Sequence, residues 1–406
     1  MRLSTLPQLL LAAALAGPGA AALADPVYNI TVIGGAGSAA VDINHRGDVV
    51  GHFSSGGNTR GFVYTSSGFT EIGTFGGQNS MAVAINDHGQ VVGSAATASG
   101  WNHAFLFSGG TLHDLGTLGG SYSDACDINN QGVIVGTSDT ADAPNFVFRR
   151  AFRYAGGSMS SLGTLPDGAG SDAFAINNKG LIGGAASEGL DTFPEFPSHA
   201  VLFRGGSVDL LVPLGYGDSA VYGLNDRGQA VGGIPNTTSA HGSHAFLYDG
   251  GTLIDLGPLW TGSDESIARD INNHGQVVGN AMIRIDTNHS TWHAFLYDRH
   301  GGMVDLNALI DPDSGWMITD ANAINDAGQI AATACRGGVF SDCHAVRLDL
   351  VSPVPEPGGW AMLALGIGAI GLRRASRPRR PCRAGCRVCA SEGSWRTDLI
   401  CCKQEN

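Results

Sequence analysis

Ala82-Val83-Ala84-Ile85-Asn86-Asp87-His88-Gly89-Gln90-Val91-Val92-Gly93-Ser94 is the stretch that decides the fold, because its core phrase returns along the chain. The phrase is Ile-Asn-x-x-Gly followed by an apolar, mostly β-branched pair, and it begins at Ile43, Ile85, Ile128, Ile176, Leu224, Ile271 and Ile324. Its Asn falls at 44, 86, 129, 177, 225, 272 and 325, in steps of 42, 43, 48, 48, 47 and 53 residues. Seven copies at a nearly constant period indicate a solenoid or a propeller, not several unrelated domains.

Working outward, each copy reads as four short strands. The run into the Asn is the first, and Asn-x-x-Gly is a tight turn whose Asn and Gly tolerate positive φ. Val91-Val92-Gly93-Ser94 is the second strand, His103-Ala104-Phe105-Leu106-Phe107 the third and Asp114-Leu115-Gly116-Thr117-Leu118 the fourth, with Gly119-Gly120 leading to the next copy. No part of the body keeps a 3.6-residue apolar period, so helices are not expected there. Four strands per repeat of about 47 residues match one blade of a β-propeller, although an open β-solenoid fits the period as well.

The chain ends favour a closed ring. Tyr28-Asn29-Ile30-Thr31-Val32-Ile33-Gly34-Gly35 aligns with a fourth strand and its Gly-Gly exit, yet it precedes the first Asn phrase. The last copy, conversely, stops after a third strand at Ala345-Val346-Arg347-Leu348. The N-terminal strand is therefore expected to complete the final blade, which removes two exposed sheet edges. Small residues two before each Asn (Asp42, Ala84, Asp127, Ala175, Gly223, Asp270, Ala323) and four before it (mostly Ala) are expected to share one face, crowded round an axis. The expectation is an all-β, seven-bladed β-propeller spanning 25–353.

The segments outside the repeats set an address. Residues 1–24 carry Arg2, an apolar run from Leu9 to Ala16 and a small-residue end at Ala22-Leu23-Ala24, the order of a secretory signal peptide cleaved after Ala24. Between Asp25 and Pro353 stand 13 basic and 32 acidic side chains, a net charge of −19. That surface repels phosphate backbones, so nucleic acid is not an expected partner. Within the body are Cys126, Cys335 and Cys343. Cys126 reads as a small apolar filler within a strand. Cys335 and Cys343 bracket a hairpin, and their spacing suits a bridge in an oxidising compartment and two free thiols alike.

On these residues, the body over 27–350 resembles the HAF-repeat family of extracellular bacterial proteins, through the His-Ala-Phe at His103, His244 and His293. Other copies depart from it, at Arg60-Gly61-Phe62, Arg150-Ala151-Phe152, His199-Ala200-Val201 and His344-Ala345-Val346. That resemblance implies no defined activity. Residues 354–374 resemble a PEP-CTERM sorting signal: Pro355-Glu356-Pro357, an apolar run from Gly358 to Leu372 containing Trp360, then Arg373-Arg374. As a helix that run covers only about 22 Å, short of the roughly 30 Å hydrocarbon core, which suits a transient membrane contact with the arginines on the cytoplasmic side. The resemblance implies handling by the export machinery and an exosortase, and delivery to the outer surface or matrix of an exopolysaccharide-making Gram-negative cell. The chain departs from the pattern by running on through 375–406, a segment with five further cysteines and no apolar period, expected to be disordered.

Several patterns imitate chemistry. Gly35-Ala36-Gly37-Ser38-Ala39-Ala40 mimics a dinucleotide fingerprint but lacks the following helix that aims amides at a pyrophosphate. Third strands open with His at 103, 199, 244, 293 and 344, whereas two copies carry Arg60 and Arg150 there. Because Arg donates hydrogen bonds and does not ligate metals, a structural donor is favoured over a metal ligand. Asp42, Asp127 and Asp270 face either a cation in the channel or backbone N–H groups, and the latter is the commoner use of Asp beside a turn. Cys382-x-x-x-Cys386-x-x-Cys389 has radical-SAM spacing but lies outside any barrel. With no G-x-S-x-G, H-E-x-x-H or convincing carboxylate pair, no catalytic, cofactor or metal residues are expected.

The expected function is a non-enzymatic surface or matrix protein that presents loops, such as Ser138–Phe148 and Ser187–Ser198, to an exopolysaccharide or surface protein. The competing expectation is a secreted hydrolase or lyase with its site at the channel.

Overall fold

The computed structural model describes residues 27–351 apart from 142–148, 188–197, 213–216, 237–241, 261–262, 285–289 and 338–341. The chain divides into two units, Met1–Val351 and Ser352–Asn406, the second wholly outside the described residues. The signal-peptide, sorting-signal and tail segments therefore lie outside them as well, with Ala24, Pro355, Glu356, Pro357, Trp360, Arg373 and Arg374.

Seven four-stranded antiparallel sheets form the first unit, and six of them take their strands consecutively from the chain. The inner strands, which run into the Asn residues, are Ser38–Ile43, Gly76–Ile85, Gly119–Ile128, Ser171–Ile176, Ala220–Leu224, Ser266–Ile271 and Trp316–Ile324, and they number blades 1 to 7 here. In blade 2 the remaining strands are Val91–Thr97, Asn102–Ser108 and Thr111–Asp114. Blade 7 is built from both ends of the chain: Tyr28–Val32 is its outermost strand, antiparallel to Cys343–Leu350, with Ile30 opposite Leu348 and Val32 opposite Val346. The expected closure is thus present, and the fold is an all-β, seven-bladed propeller.

No single core holds it together. Seven buried apolar clusters each lie across one blade interface. Between blades 1 and 2, for example, Val50, Val63 and Ile72 meet Ala82, Ile85, Val91 and Phe105. At the seam, Ala40, Ile43, Val49 and Phe62 of blade 1 meet Ala323, Ala331 and Ala345 of blade 7. Interior blades are covered on both faces by their chain neighbours, and only closure at the blade 7 to blade 1 seam covers the two terminal blades as well.

The structure gives each letter of the His-Ala-Phe phrase a separate task. The Phe side chains at 62, 105, 152, 246 and 295 are fully buried at blade interfaces. The Ala backbone N–H donates to a Ser on the next blade's inner strand, as in Ala104 to Ser123 (2.8 Å) and Ala245 to Ser266 (2.9 Å). The His pairs with an Asp on its own blade's outer strand: His103 with Asp114 (2.9 Å), His244 with Asp255 (3.0 Å) and His293 with Asp305 (2.7 Å). His344, at the seam, meets the Gly34 carbonyl at 3.0 Å, and Arg60 pairs with Glu71 at 3.3 Å. These residues tie strands together on separate blades, as the Arg substitutions suggested.

Four expectations need correction. The Asn of the repeated turn does not supply positive φ; the Gly three residues later does, at +73° to +82°, and the Asn is present for its amide. The fourth strand of blade 2 ends at Asp114, not Leu118, because Gly116 turns left-handed (φ 72°) with its N–H held by Asp114 Oδ1 at 2.8 Å. Two short 3-10 turns, Leu306–Ala308 and Pro312–Ser314, join blades 6 and 7 where no helix was expected. Finally, residues two and four before each Asn do not share a face. Every inner strand carries a register shift between those two positions, a β-bulge at the residue three before the Asn.

That bulge accounts for the Gly of the second strand. In blades 1 to 6 a Cβ at Gly51, Gly93, Gly136, Gly184, Gly232 or Gly279 would lie 1.9–2.0 Å from an inner-strand carbonyl oxygen. Blade 7 carries Ala332 there, opposite Ala321.

Cys335 and Cys343 face each other on neighbouring strands of blade 7 and form a disulfide.

Candidate functional site in the axial channel

The seven inner strands surround an axial channel, and its polar lining comes in three levels. At the mouth formed by the Asn-x-x-Gly turns, each Asn uses its side chain twice. The Oδ1 of Asn177 accepts from Lys179 N (3.0 Å) and Leu181 N (2.9 Å), which shapes the turn. Its Nδ2 donates to the carbonyl of Asn225 in the next blade at 2.8 Å. The same bond runs from Asn44 to Asn86, to Asn129, to Asn177, and from Asn225 to Asn272, to Asn325 and back to Asn44, at 2.9–3.2 Å. Seven buried amides thus form an unbroken circle that crosses the chain-end seam.

A second circle uses the following residue: His45, Asp87, Asn130, Asn178, Asp226, Asn273 and Asp326. Each backbone N–H from His45 through Asn273 donates to the side chain of the next blade's member. At the seam the imidazole completes the link, with Nε2 3.0 Å from Asp326 and Nδ1 3.3 Å from Asp87. Burial by itself would lower the His45 pKa, but the hydrogen bonds and charges of Asp326 and Asp87 outweigh it and raise it overall. Burial likewise works to raise Asp87 and Asp326, and their N–H and imidazole partners win, holding both below the ordinary value.

The third level is a belt of three carboxylates. Asp42 accepts from its own neighbour Ile43 N (2.8 Å) and from Ile85 N of the next blade (2.7 Å). Asp127 does the same with Ile128 and Ile176, and Asp270 with Ile271 and Ile324. These are the backbone bonds expected of such residues, and each one also clasps two blades. Burial pushes all three pKa values up despite those donors, Asp127 to about 7 and Asp270 to about 6, with Asp42 raised further by the charge of Asp127.

The belt divides the channel. Toward the Asn mouth is a polar chamber of about 170 Å³. On the other side is a larger chamber of about 310 Å³, lined by the bulge residues Val41, Val83, Cys126, Phe174, Tyr222, Arg269 and Asn322. Phe174 and Tyr222 lie with ring centroids 5.5 Å apart, and the Arg269 guanidinium sits 5.6 Å over the Tyr222 ring. Cys126 is therefore a channel residue, not the core filler expected. Burial and the nearby charges of Asp124, Asp172 and Asp127 push its thiol up, so it is held protonated.

Sequence reading brought Asp42, Asp127 and Asp270 to the channel correctly but missed two repeating positions. One is a buried Ser or Thr six before each Asn: Ser38, Ser80, Ser123, Ser171, Ser219, Ser266 and Thr319. In blades 1 to 6 it receives the preceding blade's N–H described above. The other is the bulge residue. Reading down the seven copies at fixed offset from the Asn exposes the first as constant and the second as divergent. Gly35 and Gly37 lead into the inner strand of blade 1 with no helix after them. Among the described residues no group of three or more His, Cys, Asp or Glu is placed to hold a metal ion. The loops Ser138–Phe148 and Ser187–Ser198 fall largely outside the described residues.

Residues 259–343 match a family described as "Protein of unknown function (DUF3466)". No curated protein matches the chain. Among solved structures it is similar to the β-propeller domain of the Trilobed protease from Pyrococcus furiosus, reported to have an open velcro topology. There the TM-score is 0.50 at 9% identity, over 78% of this chain and 97% of that one. Weaker likenesses are an AofleA mutant from Arthrobotrys oligospora (TM-score 0.35, 10% identity, 78% and 89% covered) and Porphyromonas gingivalis dipeptidyl peptidase 4 (0.37, 11%, 75% and 51%). At 9% identity the likeness to the Trilobed protease domain speaks for the fold alone. The chain is a closed seven-bladed β-propeller, similar over part of its length to a family without an assigned function.

Proposed function

We propose that this is an exported, non-enzymatic propeller of the HAF-repeat kind, sorted to the cell surface or matrix by its PEP-CTERM-like tail and binding exopolysaccharide or a surface protein. The observation that carries the non-enzymatic part is the commitment of the channel's polar groups. Each belt carboxylate already accepts two backbone N–H bonds, and both circles of side chains at the Asn mouth close on themselves. Groups so occupied hold blades in register and are poorly placed to move a proton to a substrate. The resulting ring is a rigid mount, and binding on repeat scaffolds falls to what the mount displays. Signal cleavage after Ala24, exosortase handling at 354–374 and a tail at 375–406 belong to the same proposal and rest on the order of residues in those segments.

A second reading, a hydrolase or lyase working in the channel, draws on one observation: Asp127 and Asp270 are raised to about 7 and about 6, where a carboxyl can act as acid or base near neutrality. A glycan array of acidic and neutral exopolysaccharides, run beside hydrolase and lyase assays on the purified chain, separates the two. Binding without turnover supports the first. Turnover that disappears in Asp127→Asn or Asp270→Asn would overturn it in favour of the second. The mass of the cell-surface protein tests the address: a species that retains residues 1–24 contradicts export through a cleaved signal.

A further inference from the structure

We infer that the larger axial chamber is a binding site for a single uronate sugar unit, with Arg269 receiving the carboxylate and the Tyr222 and Phe174 rings receiving the sugar face. The inference rests on the proposed polysaccharide binding and narrows it to one place and one chemistry.

The first support is where the sequence varies. The Asn, the Ile or Leu before it and the small residue four before it are nearly invariant through the seven copies, because each closes a bond or packs at a blade interface. The bulge releases the intervening side chain from the ladder and turns it into the channel. At that position the copies carry two Val, then Cys, Phe, Tyr, Arg and Asn. Asn322 bonds the ring, its amide donating to the Ala40 carbonyl of blade 1 at 2.8 Å, but among the described residues the other six side chains make no such bond, so their differences are available for recognition.

The second support is how those differences are arranged. Aromatic side chains stand on adjacent blades 4 and 5, and the chamber's cation stands on blade 6 beside them. Arg269 is half-buried, and among the described residues its guanidinium meets the Tyr222 ring but no carboxylate. A partly desolvated guanidinium without a carboxylate partner is a strong receptor for one, through paired charge-assisted hydrogen bonds. Rings whose faces are apolar and whose edges are polar, as in a sugar, stack on Tyr and Phe.

The third support is the belt. Asp42, Asp127 and Asp270 close the inner end of the chamber, and each carboxyl oxygen takes one backbone N–H, which leaves capacity for ligand hydroxyls. A wholly apolar or aromatic acid has no hydroxyls to offer there and would desolvate the belt at a cost. The volume, about 310 Å³, sits at the lower end of ordinary small-ligand pockets and suits one ring of a chain end, not an internal stretch of polymer.

The test is titration calorimetry on the purified chain with methyl β-glucuronide and galacturonate, against methyl β-glucoside as the uncharged twin and phenylalanine as an amphipathic acid without sugar hydroxyls. The uronates are expected to bind at least about tenfold tighter than the glucoside, with Arg269→Gln weakening uronate binding by about tenfold or more and leaving the glucoside unchanged. Tyr222→Ala is expected to weaken both sugars, and the thermal midpoint of each variant reports whether the ring is intact. Uronates that do not titrate, or that bind Arg269→Gln as well as the parent, overturn the site. So does phenylalanine binding more tightly than any uronate. If the array detects polysaccharide binding that survives Arg269→Gln, the chamber assignment fails while the binding function stands. Uronate binding with an empty array does the opposite: the chamber stands and polysaccharide binding fails.

Discussion

The two ends of the inner strands obey opposite rules. At the turn end, seven copies carry the same Asn, and every one hands its amide to the next blade. Three residues earlier the same strands carry six different side chains in seven copies. What differs is the backbone between them. The β-bulge takes one residue out of the ladder in each blade, so its side chain answers to the channel, whereas the Asn answers to its own turn and to a neighbouring blade at once. Uniformity in this repeat marks a bond that must be made seven times for the circle to close, and divergence marks positions that the ring leaves free, Asn322 with its bond to the Ala40 carbonyl being the exception.

The largest expected contrast comes from replacing one member of each set. Asn177→Ala removes an interblade bond and two turn bonds at a buried site, and should cost about 3–5 kcal/mol in denaturant unfolding. Phe174→Ser or Tyr222→Ala should stay within about 1 kcal/mol. Equal losses in the two sets would break the comparison. Next in size is Gly136→Ala, whose new Cβ meets the Asp124 carbonyl at 2.0 Å and should cost about 2 kcal/mol by displacing the bulge. A neutral result would mean that the bulge yields as easily as blade 7, where Ala332 is native, suggests it can.

The carboxylate belt sharpens the comparison through pH. A carboxyl whose pKa is raised on folding binds its proton more tightly in the folded chain, so its contribution to stability is present at low pH and is lost as pH rises. For Asp127 and Asp270, raised to about 7 and about 6 from 3.8, the loss falls between about pH 4 and about pH 7. The thermal midpoint at low salt should therefore be higher at about pH 5 than at about pH 8, and Asp127→Asn with Asp270→Asn should flatten that slope. An unchanged slope would show that the belt titrates like exposed aspartate. The smallest effect belongs to His45, the one imidazole in the second circle. Its raised pKa acts in the same direction, with stability lost as pH climbs through the folded value. His45→Asn should shift stability by about 0.5 kcal/mol and remove only that share of the slope.

Much of this was legible in the residues themselves. The period gave the blade count, and Tyr28–Ile33 against Ala345–Leu348 predicted which strand shuts the ring. The circle of amides was not legible, because an Asn before x-x-Gly reads equally well as a turn former, and nothing local says that its Nδ2 faces a carbonyl 48 residues away. The bulge was hidden for a related reason: alternation predicts faces only while pairing is unbroken, and a one-residue slip sends Cys126, Phe174, Tyr222 and Arg269 into the channel.

Local sequence alone determined that this chain makes short strands with tight Gly turns, seven times over, and that its two ends each lack what the other supplies. Those outcomes depend on backbone preference and apolar period, which act within a few residues. Only the tertiary ring decided what the polar side chains are for. Asn177, Asp127 and Ser171 find their partners on neighbouring blades, and those partners exist only once all seven sheets stand around one axis.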